Sequence, residues 1–262
     1  MSKKNIAVVM GGFSSEVNIS ILSGNTVCKH LDQSKYNVFP IHILKEGWFC
    51  KHADHKPIPV DKADFSINVE GTKITFDCVF NTIHGTPGED GILQAYLKLL
   101  NIPQTACNYY EAALTFNKRD CIGVLKAYGI KTATNYLLNK GDAIHATEIL
   151  EQVGLPCFVK ANKAGSSYGV SKVYGAEELE GAIEVAFKED DEIIIESFLE
   201  GTEVSVGVIN YQGNVMALPV TEIVSDNDFF DYQAKYEGKS QEITPARITD
   251  EQTEAVQREA EK

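Results

Sequence analysis

No apolar run in this 262-residue sequence approaches the roughly 20 residues that span a bilayer. The opening Met1-Ser-Lys-Lys-Asn leads into a strand-like run, with no signal-peptide core, so a soluble cytoplasmic protein with no membrane partner is expected. CxxC spacing is missing too. The six cysteines, Cys28, Cys50, Cys78, Cys107, Cys121 and Cys157, are scattered, and Cys78 and Cys157 sit inside apolar runs. Reduced thiols are expected, with neither a disulfide framework nor a zinc site. Positive charge is scarce, with 24 Lys and Arg against 37 Asp and Glu and a net charge of -13. That field excludes a nucleic-acid backbone as partner and admits a small anionic nucleotide only where local lysines overturn it. GxxxxGK[ST] occurs nowhere, so any phosphate site is not a P-loop. Repeats and low-complexity tracts are absent as well. What remains is a chain with 44% hydrophobic residues, long enough to bury one large core or several small ones.

The pattern along the chain changes near its middle. Ile6 to Met10 is apolar, Gly11-Gly12 follows, and Ile19, Leu22, Val27 and Leu31 then recur at helical spacing. This predicts strand, tight turn and helix. Val38 to Ile43 reads as a second strand, the stretch through Asp64 as loop-rich, and Phe76 to Ile83 as a further strand ending in His84-Gly-Thr-Pro-Gly88. Ile92, Leu93, Tyr96, Leu97 and Leu100 predict a helix. Strands alternating with helices point to a parallel α/β layer over residues 1–108. A helix is predicted from Lys118 to Tyr128, stopped by Gly129. Beyond it, strand-like runs at Leu155 to Lys160 and Gly169 to Tyr174, a helix at Leu179 to Phe187, the buried run Glu192 to Glu196 and a turn at Gln212-Gly213-Asn214 read as an antiparallel α+β unit. Thr249 to Lys262 is charged and helix-prone, and no glycine or proline stops it.

Several residues could carry chemistry. Gly11-Gly12 before a helix offers amides to an anion or is a plain tight turn; Glu16 cannot serve that anion and, if functional, holds a cation such as an ammonium. His84 stands where a strand gives way to a glycine-rich loop, the usual place for ligand contacts in open α/β sheets, while Glu89 and Asp90 can be simple helix N-terminal charges. Lys160 closes a strand just before Gly165, Ser166, Ser167 and Gly169, whose small size lets backbone amides approach phosphate oxygens. The alternative is a hairpin turn with a solvated lysine. Glu196 and Glu203 flank a turn at Gly201, suited to an adenine at a strand edge and to ribose hydroxyls, or to nothing more than an acidic hairpin. The long polar, aromatic loop Asp231-Tyr-Gln-Ala-Lys235-Tyr236 exceeds what a turn needs.

Five strings in order, Val-Met-Gly-Gly-Phe-Ser-Ser-Glu16, Ile-His84-Gly-Thr-Pro-Gly-Glu-Asp-Gly91, Val-Lys160-Ala-Asn-Lys-Ala-Gly-Ser-Ser-Tyr-Gly-Val-Ser-Lys172, Ile-Glu196-Ser-Phe-Leu-Glu-Gly-Thr-Glu203 and Phe-Asp-Tyr-Gln-Ala-Lys235-Tyr236, resemble the D-alanine-D-alanine ligases of the ATP-grasp superfamily. The resemblance implies an N-terminal Rossmann-like domain over 1–108, a central ATP-binding lobe over 109–198 and an incomplete C-terminal lobe over 199–262. It implies ATP-dependent joining of two D-alanines through an acyl phosphate, for peptidoglycan precursors, by a homodimer using ATP with Mg2+ or Mn2+. Lys118, Lys160, Gly165, Ser166, Ser167 and Lys235 match the phosphate-side residues. Glu196, Phe198 and Leu199 match the adenine hinge, and Glu203 matches the ribose contact. Glu16, His84 and Ser20 match substrate contacts, and Glu16, Ser166, Lys235 and Tyr236 match the catalytic set, with the Lys235 loop a lid.

Departures stand beside these matches: Asn18 replaces a second acidic residue, Ala161 a proline and Ser197 a lysine common in relatives. The family's metal ligands and catalytic arginine lie in segments not found here, and neither Arg247 nor Arg258 sits in such a context. Little turnover is therefore expected of these residues alone. A D-alanine-D-lactate type ligase and an inactive nucleotide-binding fragment are the competing readings; Tyr236 favours peptide formation over the first.

Overall fold

The computed structural model describes residues 3–51, 56–225 and 240–262. The described residues divide into two units, one within Met1–Gly123 together with Asn162–Gly165, the other within Val124–Ala161 and Ser166–Lys262.

In the first unit the Ile6 to Met10 run is strand β1 (Lys4–Gly11), buried on both faces as a parallel strand covered by helices must be. Ile6, Val8 and Met10 pack toward helix α1 (Val17–His30), while Ala7 and Val9 join a larger core on the other side. Strand β2 (Tyr36–Leu44) lies parallel to β1. Strands β3 (Gly47–Cys50), β4 (Ile58–Asp61), β5 (Ser66–Val69) and β6 (Thr72–Ile74) then extend the sheet outward in antiparallel steps. Strand β7 (Cys78–Asn81) returns to the other side of β1, again parallel, and helix α2 (Ile92–Leu99) adds Leu93 and Leu97 to the core. The loop-rich reading of the stretch through Asp64 is thus corrected, and the parallel layer is limited to β2, β1 and β7. Strands of three or four residues are too short to show an alternation. Their anchor is Phe65, fully buried at φ 52°, against whose ring Trp48, Phe76 and Tyr96 stand edge to face.

Helix α3 (Tyr109–Phe116) and helix α4 (Lys118–Ala127) follow, and Gly129 takes a positive φ past the end of α4. In the second unit strand β8 (Asn135–Asn139), helix α5 (Ala146–Val153), strands β9 (Cys157–Ala161) and β10 (Val170–Val173), helix α6 (Leu179–Ala186) and strand β11 (Glu192–Ser197) form an antiparallel sheet of order β10-β9-β11-β8. Along β9 the period of two decides what faces what: Cys157 and Val159 enter the core with α5 and α6, and Phe158 and Lys160 take the opposite face. Strands β12 (Val204–Ser205), β13 (Val208–Tyr211), β14 (Asn214–Ala217), β15 (Thr221–Ser225) and β16 (Ser240–Ile243) make a three-stranded sheet, β12-β15-β16, and a separate hairpin, β13-β14. Gln212 and Gly213 turn the hairpin with φ of 52° and 85°, both central residues left-handed as a two-residue turn requires. Glu222, buried on β15, accepts two hydrogen bonds from the Arg247 guanidinium at 2.8 Å each. The helix Asp250–Ala260 is capped by Thr249 and Gln252.

Candidate active site

The site residues of the first unit are built on the turn after β1. Gly11 and Gly12 adopt φ of 109° and 98°, and a Cβ on Gly12 would lie 2.8 Å from Ile83 Cγ2 and 3.1 Å from the Thr86 oxygen. Only glycine fits there. The amides are not left for an anion: Gly11 N–H donates to Ser20 Oγ at 2.8 Å and Gly12 N–H to the Ile43 carbonyl at 2.8 Å. Of the two readings of this pair, the tight turn is the one formed. Ser20 itself is fully buried, its hydroxyl beneath the turn.

Glu16, the N-cap residue of α1, makes no side-chain capping bond and is 3% exposed. Its carboxylate lies between two glycine backbones: a Cβ on Gly165 would come within 2.9 Å of Glu16 Oε1, and one on Gly85 within 3.4 Å of Oε2. Gly85 belongs to the loop after β7. Ser14 Oγ donates to the His84 carbonyl at 3.1 Å and Phe13 N–H to the Thr86 carbonyl at 2.8 Å, stitching that loop to the glycine turn. Within it, Asn81 Nδ2 and Gln94 Nε2 both donate to the Gly88 carbonyl, and Gly85 N–H donates to Glu89 Oε2 at 2.6 Å. Glu89 is therefore more than a helix-end charge. Desolvation pushes its carboxyl above the ordinary range, with Glu16 adding to the rise, while the Gly85 amide, His84 and Lys118 pull it down. A cavity of about 470 Å³ adjoins His84 and Glu89.

Lys118 opens α4. Its ammonium donates to the carbonyls of Ala164 at 2.6 Å and Asn162 at 3.1 Å, so it lies at the base of the glycine-serine loop. Asn117 Oδ1 accepts the Asp120 amide and Asn117 Nδ2 donates to Asp120 Oδ2, closing the first turn of the helix. Asn162, with no role in the sequence reading, is fully buried beside them.

In the second unit the outward face of β9, β10 and β11 gathers charge and rings. Lys160 Nζ pairs with Glu196 Oε2 at 2.8 Å, with side-chain exposures of 28% and 13%. Lys160 also lies 5.2 Å above the Phe158 ring. Lys172, which the register sets opposite Phe158, stands 4.5 Å from the Phe198 ring centre, 5.0 Å from Tyr174 and 5.8 Å from Phe158. Sequence reasoning quoted Lys172 without a role; the period-two match between the two strands was the available signal. Rings and ammonium groups on one face can stack a flat heterocycle and neutralise a phosphate chain. Ser166 and Ser167 hold φ of 49° and 61°, an uncommon conformation for serine that recurs at ligand-binding loops.

The hinge differs from its expectation as a strand edge. β11 is an interior strand, and its last amides are taken: Ser197 N–H donates to the Thr134 carbonyl and Phe198 N–H to the Pro156 carbonyl. Leu199, 68% exposed, follows them. Glu203 is exposed at the start of β12, its carbonyl accepting Ile223 N–H. Lys235 and Tyr236, with the loop from Asp231, lie outside the described residues. Among the described residues no three His, Cys, Asp or Glu side chains gather to hold a metal ion, and no helix is long and apolar enough to cross a membrane.

A buried carboxylate beside a glycine turn in the first unit, and a sheet face with lysines and rings in the second, are what the resemblance to ATP-grasp ligases leads one to expect, and comparison with known proteins gives that class. Residues 5–107 match the family described as D-ala D-ala ligase N-terminus, and residues 124–262 match D-ala D-ala ligase C-terminus. The chain belongs to the D-alanine-D-alanine ligase family. It is 67% identical over 253 residues to the D-alanine--D-alanine ligase of Flavobacterium johnsoniae and 63% identical over 255 residues to that of Christiangramia forsetii, covering 97% of this chain and 78% of each relative. Among solved structures, D-alanyl-alanine synthetase A from Vibrio cholerae superimposes with a TM-score of 0.84 at 28% identity, over 100% of this chain and 80% of that one. The VanG D-Ala:D-Ser ligase of Enterococcus faecalis gives 0.79 at 30%, over 99% and 81%.

Proposed function

We propose that the chain works in ATP-dependent joining of two D-alanines for peptidoglycan precursor synthesis. The carboxylate of one D-alanine takes the γ-phosphoryl group of ATP, and the amine of the second attacks the acyl phosphate, forming the peptide bond and releasing phosphate. A carboxylate is a poor electrophile until phosphorylated, so the chemistry needs oxygen charge stabilised in both steps and water kept out. The observation that carries this reading is Glu16, a buried carboxylate bounded by the backbones of Gly85 and Gly165: it suits one small ammonium and leaves little room for a larger group.

His84, on the loop bonded to that turn, is assigned to the substrate side, with Ser20 holding the turn from below. Lys160, Lys118, Ser166, Ser167 and Gly165 are assigned to the phosphates, and Phe198 and Leu199 to the adenine. Glu196, paired with Lys160, belongs to the same adenine hinge, and Glu203 takes the ribose. Lys235 and Tyr236 complete the set by family resemblance. Magnesium, which the resemblance also implies, finds no three-residue ligand group among the described residues. A cytoplasmic location and a homodimer belong to the same proposal.

The two halves can be tested separately by equilibrium binding. Lys160→Ala is expected to weaken ATP binding about tenfold to a hundredfold, the worth of a charge-assisted hydrogen bond, with D-alanine binding retained. Glu16→Gln should do the reverse. Equal effects of each change on both ligands would overturn the division. Mass spectrometry of products from ATP, magnesium, D-alanine and D-lactate then separates peptide from ester formation. Binding without ADP release would favour an inactive nucleotide-binding role.

A further inference from the structure

Asn162 is fully buried, a placement that an amide tolerates only when its polar atoms are engaged. Its Oδ1 accepts the Arg119 amide at 2.9 Å and its Nδ2 donates to Asn117 Oδ1 at 2.9 Å. Arg119 and Asn117 flank Lys118, whose ammonium in turn donates to the Asn162 and Ala164 carbonyls. The strand β9 ends at Ala161 and the left-handed serines begin at Ser166, so this lattice holds the whole intervening segment, Asn162–Gly165, against the first unit. At the far end of the segment Gly165 lies against the Glu16 carboxylate. One side chain therefore fixes the start of the Lys118 helix, the base of the glycine-serine loop and the wall of the ammonium pocket.

We propose that Asn162 is a positioning residue for ligation, setting Lys118 and the loop base in register with Glu16. The inference rests on the assignment of Lys118 and the loop to ATP and of Glu16 to the D-alanine ammonium. Asn162 touches neither substrate in this role; it acts through Arg119, Asn117 and its own carbonyl. The amides of Arg119 and Asp120 are taken by Asn162 and Asn117, so the helix N-terminus offers them to no phosphate.

The test uses Asn162→Leu, which keeps the volume and removes both polar atoms, and Asn162→Asp, which keeps the acceptor for Arg119 and loses the donor to Asn117. Amide hydrogen exchange is followed at residues 119, 120 and 163–168, together with equilibrium binding of ATP and of D-alanine. For Asn162→Leu, exchange is expected to accelerate at all these amides, and both ligands should weaken roughly tenfold, because a loosened loop base spoils both pockets. Asn162→Asp should fall between Leu and the parent, and it carries the test if the Leu variant does not fold. Lys118→Met should weaken ATP more than D-alanine and speed exchange at 163–168, since its bonds to the Asn162 and Ala164 carbonyls go, while leaving exchange at 119 and 120 unchanged. Parent-like affinity for both ligands in a folded variant overturns the proposal, as does a loss confined to one ligand. If the unsubstituted chain binds no ATP, the assigned function falls, and the exchange data still decide whether Asn162 holds the segment.

Discussion

The two candidate regions, one in each unit, are built differently. In the first unit the carboxylate proposed to face the substrate is part of the core: Glu16 and Ser20 are buried, and the glycine turn before them is locked by hydrogen bonds to Ser20, to β2 and to the loop after β7. In the second unit the lysines and rings lie on the open face of a sheet whose other side does the packing. The difference fits what each unit is proposed to hold. A small zwitterion gives little contact area, so discrimination has to come from a rigid, desolvated pocket whose shape is set before binding. A nucleotide, the ligand proposed for the second unit, brings its own large surface and charge, so that face can stay open, with Lys160 paired to Glu196.

If that contrast holds, added bulk should be punished in the first unit. Gly12→Ala forces an L-residue to φ 98° and sets a methyl 2.8 Å from Ile83. Denaturant unfolding is expected to report a loss of about 2–4 kcal/mol, the combined scale of backbone strain and overpacking. The loop bearing His84 should move with it, so D-alanine binding weakens even where the protein remains folded. A Gly12→Ala protein as stable as its parent would mean that the turn yields easily and that the pocket is not preset.

Much of this architecture was legible because the residues that define it act locally. The Ile6 to Met10 run and Gly11-Gly12 gave strand, turn and helix, and Gln212-Gly213 gave a hairpin with left-handed central residues, since φ preferences are written into single positions. The antiparallel extension of the first sheet was not legible, because its strands are too short for a pattern and are secured by Phe65, a turn residue whose ring is the core. Within the candidate site, Glu16, His84 and Lys160 were visible as polar residues at the ends of apolar runs. Asn162 was not: its partner Asn117 is 45 residues away in sequence, and nothing local marks a buried amide. The strand-edge reading of the hinge failed for the same reason, since β11 up to Glu196 is covered by β8 and the Ser197 amide by Thr134 just before it, a strand the sequence pattern did not reveal.

Acid should separate the units. In the first, burial holds the imidazole of His42, stacked on Phe49, below its ordinary 6.5, with the Lys51 charge assisting. The unfolded chain then takes up the proton first, so the stability this histidine leaves intact at neutral pH declines as pH falls below about 6.5. In the second unit, hydrogen bonds from the Arg247 side chain and backbone hold Glu222 at about 2 against an ordinary 4.5. Its contribution is complete above the unfolded value and is lost as pH falls from about 4.5 toward 2. Trp48, the single tryptophan, reports the first unit by fluorescence, and amide exchange on β15 reports the second. The tryptophan signal should lose stability at the higher pH, and His42→Leu should flatten that slope while Glu222→Gln flattens the other. Coincident acid transitions that neither substitution alters would show that these two groups do not set the order.

The smallest effect is also the one most specific to the second unit. Gly181 lies inside α6, with no atom within 4 Å of where its Cβ would stand, and no positive φ demands a glycine there. Glycine in a helix interior costs backbone entropy on folding without returning any packing. Gly181→Ala is therefore expected to stabilise the protein by about 0.5–1 kcal/mol, read as a higher denaturant midpoint at unchanged slope. ATP binding should stay as it was, because α6 packs on the core side of the sheet and the lysines face the other way. A gain in stability accompanied by weaker nucleotide binding would mean that the sheet must flex to take its ligand. The open face would then be as dependent on its core as the buried pocket of Glu16 is.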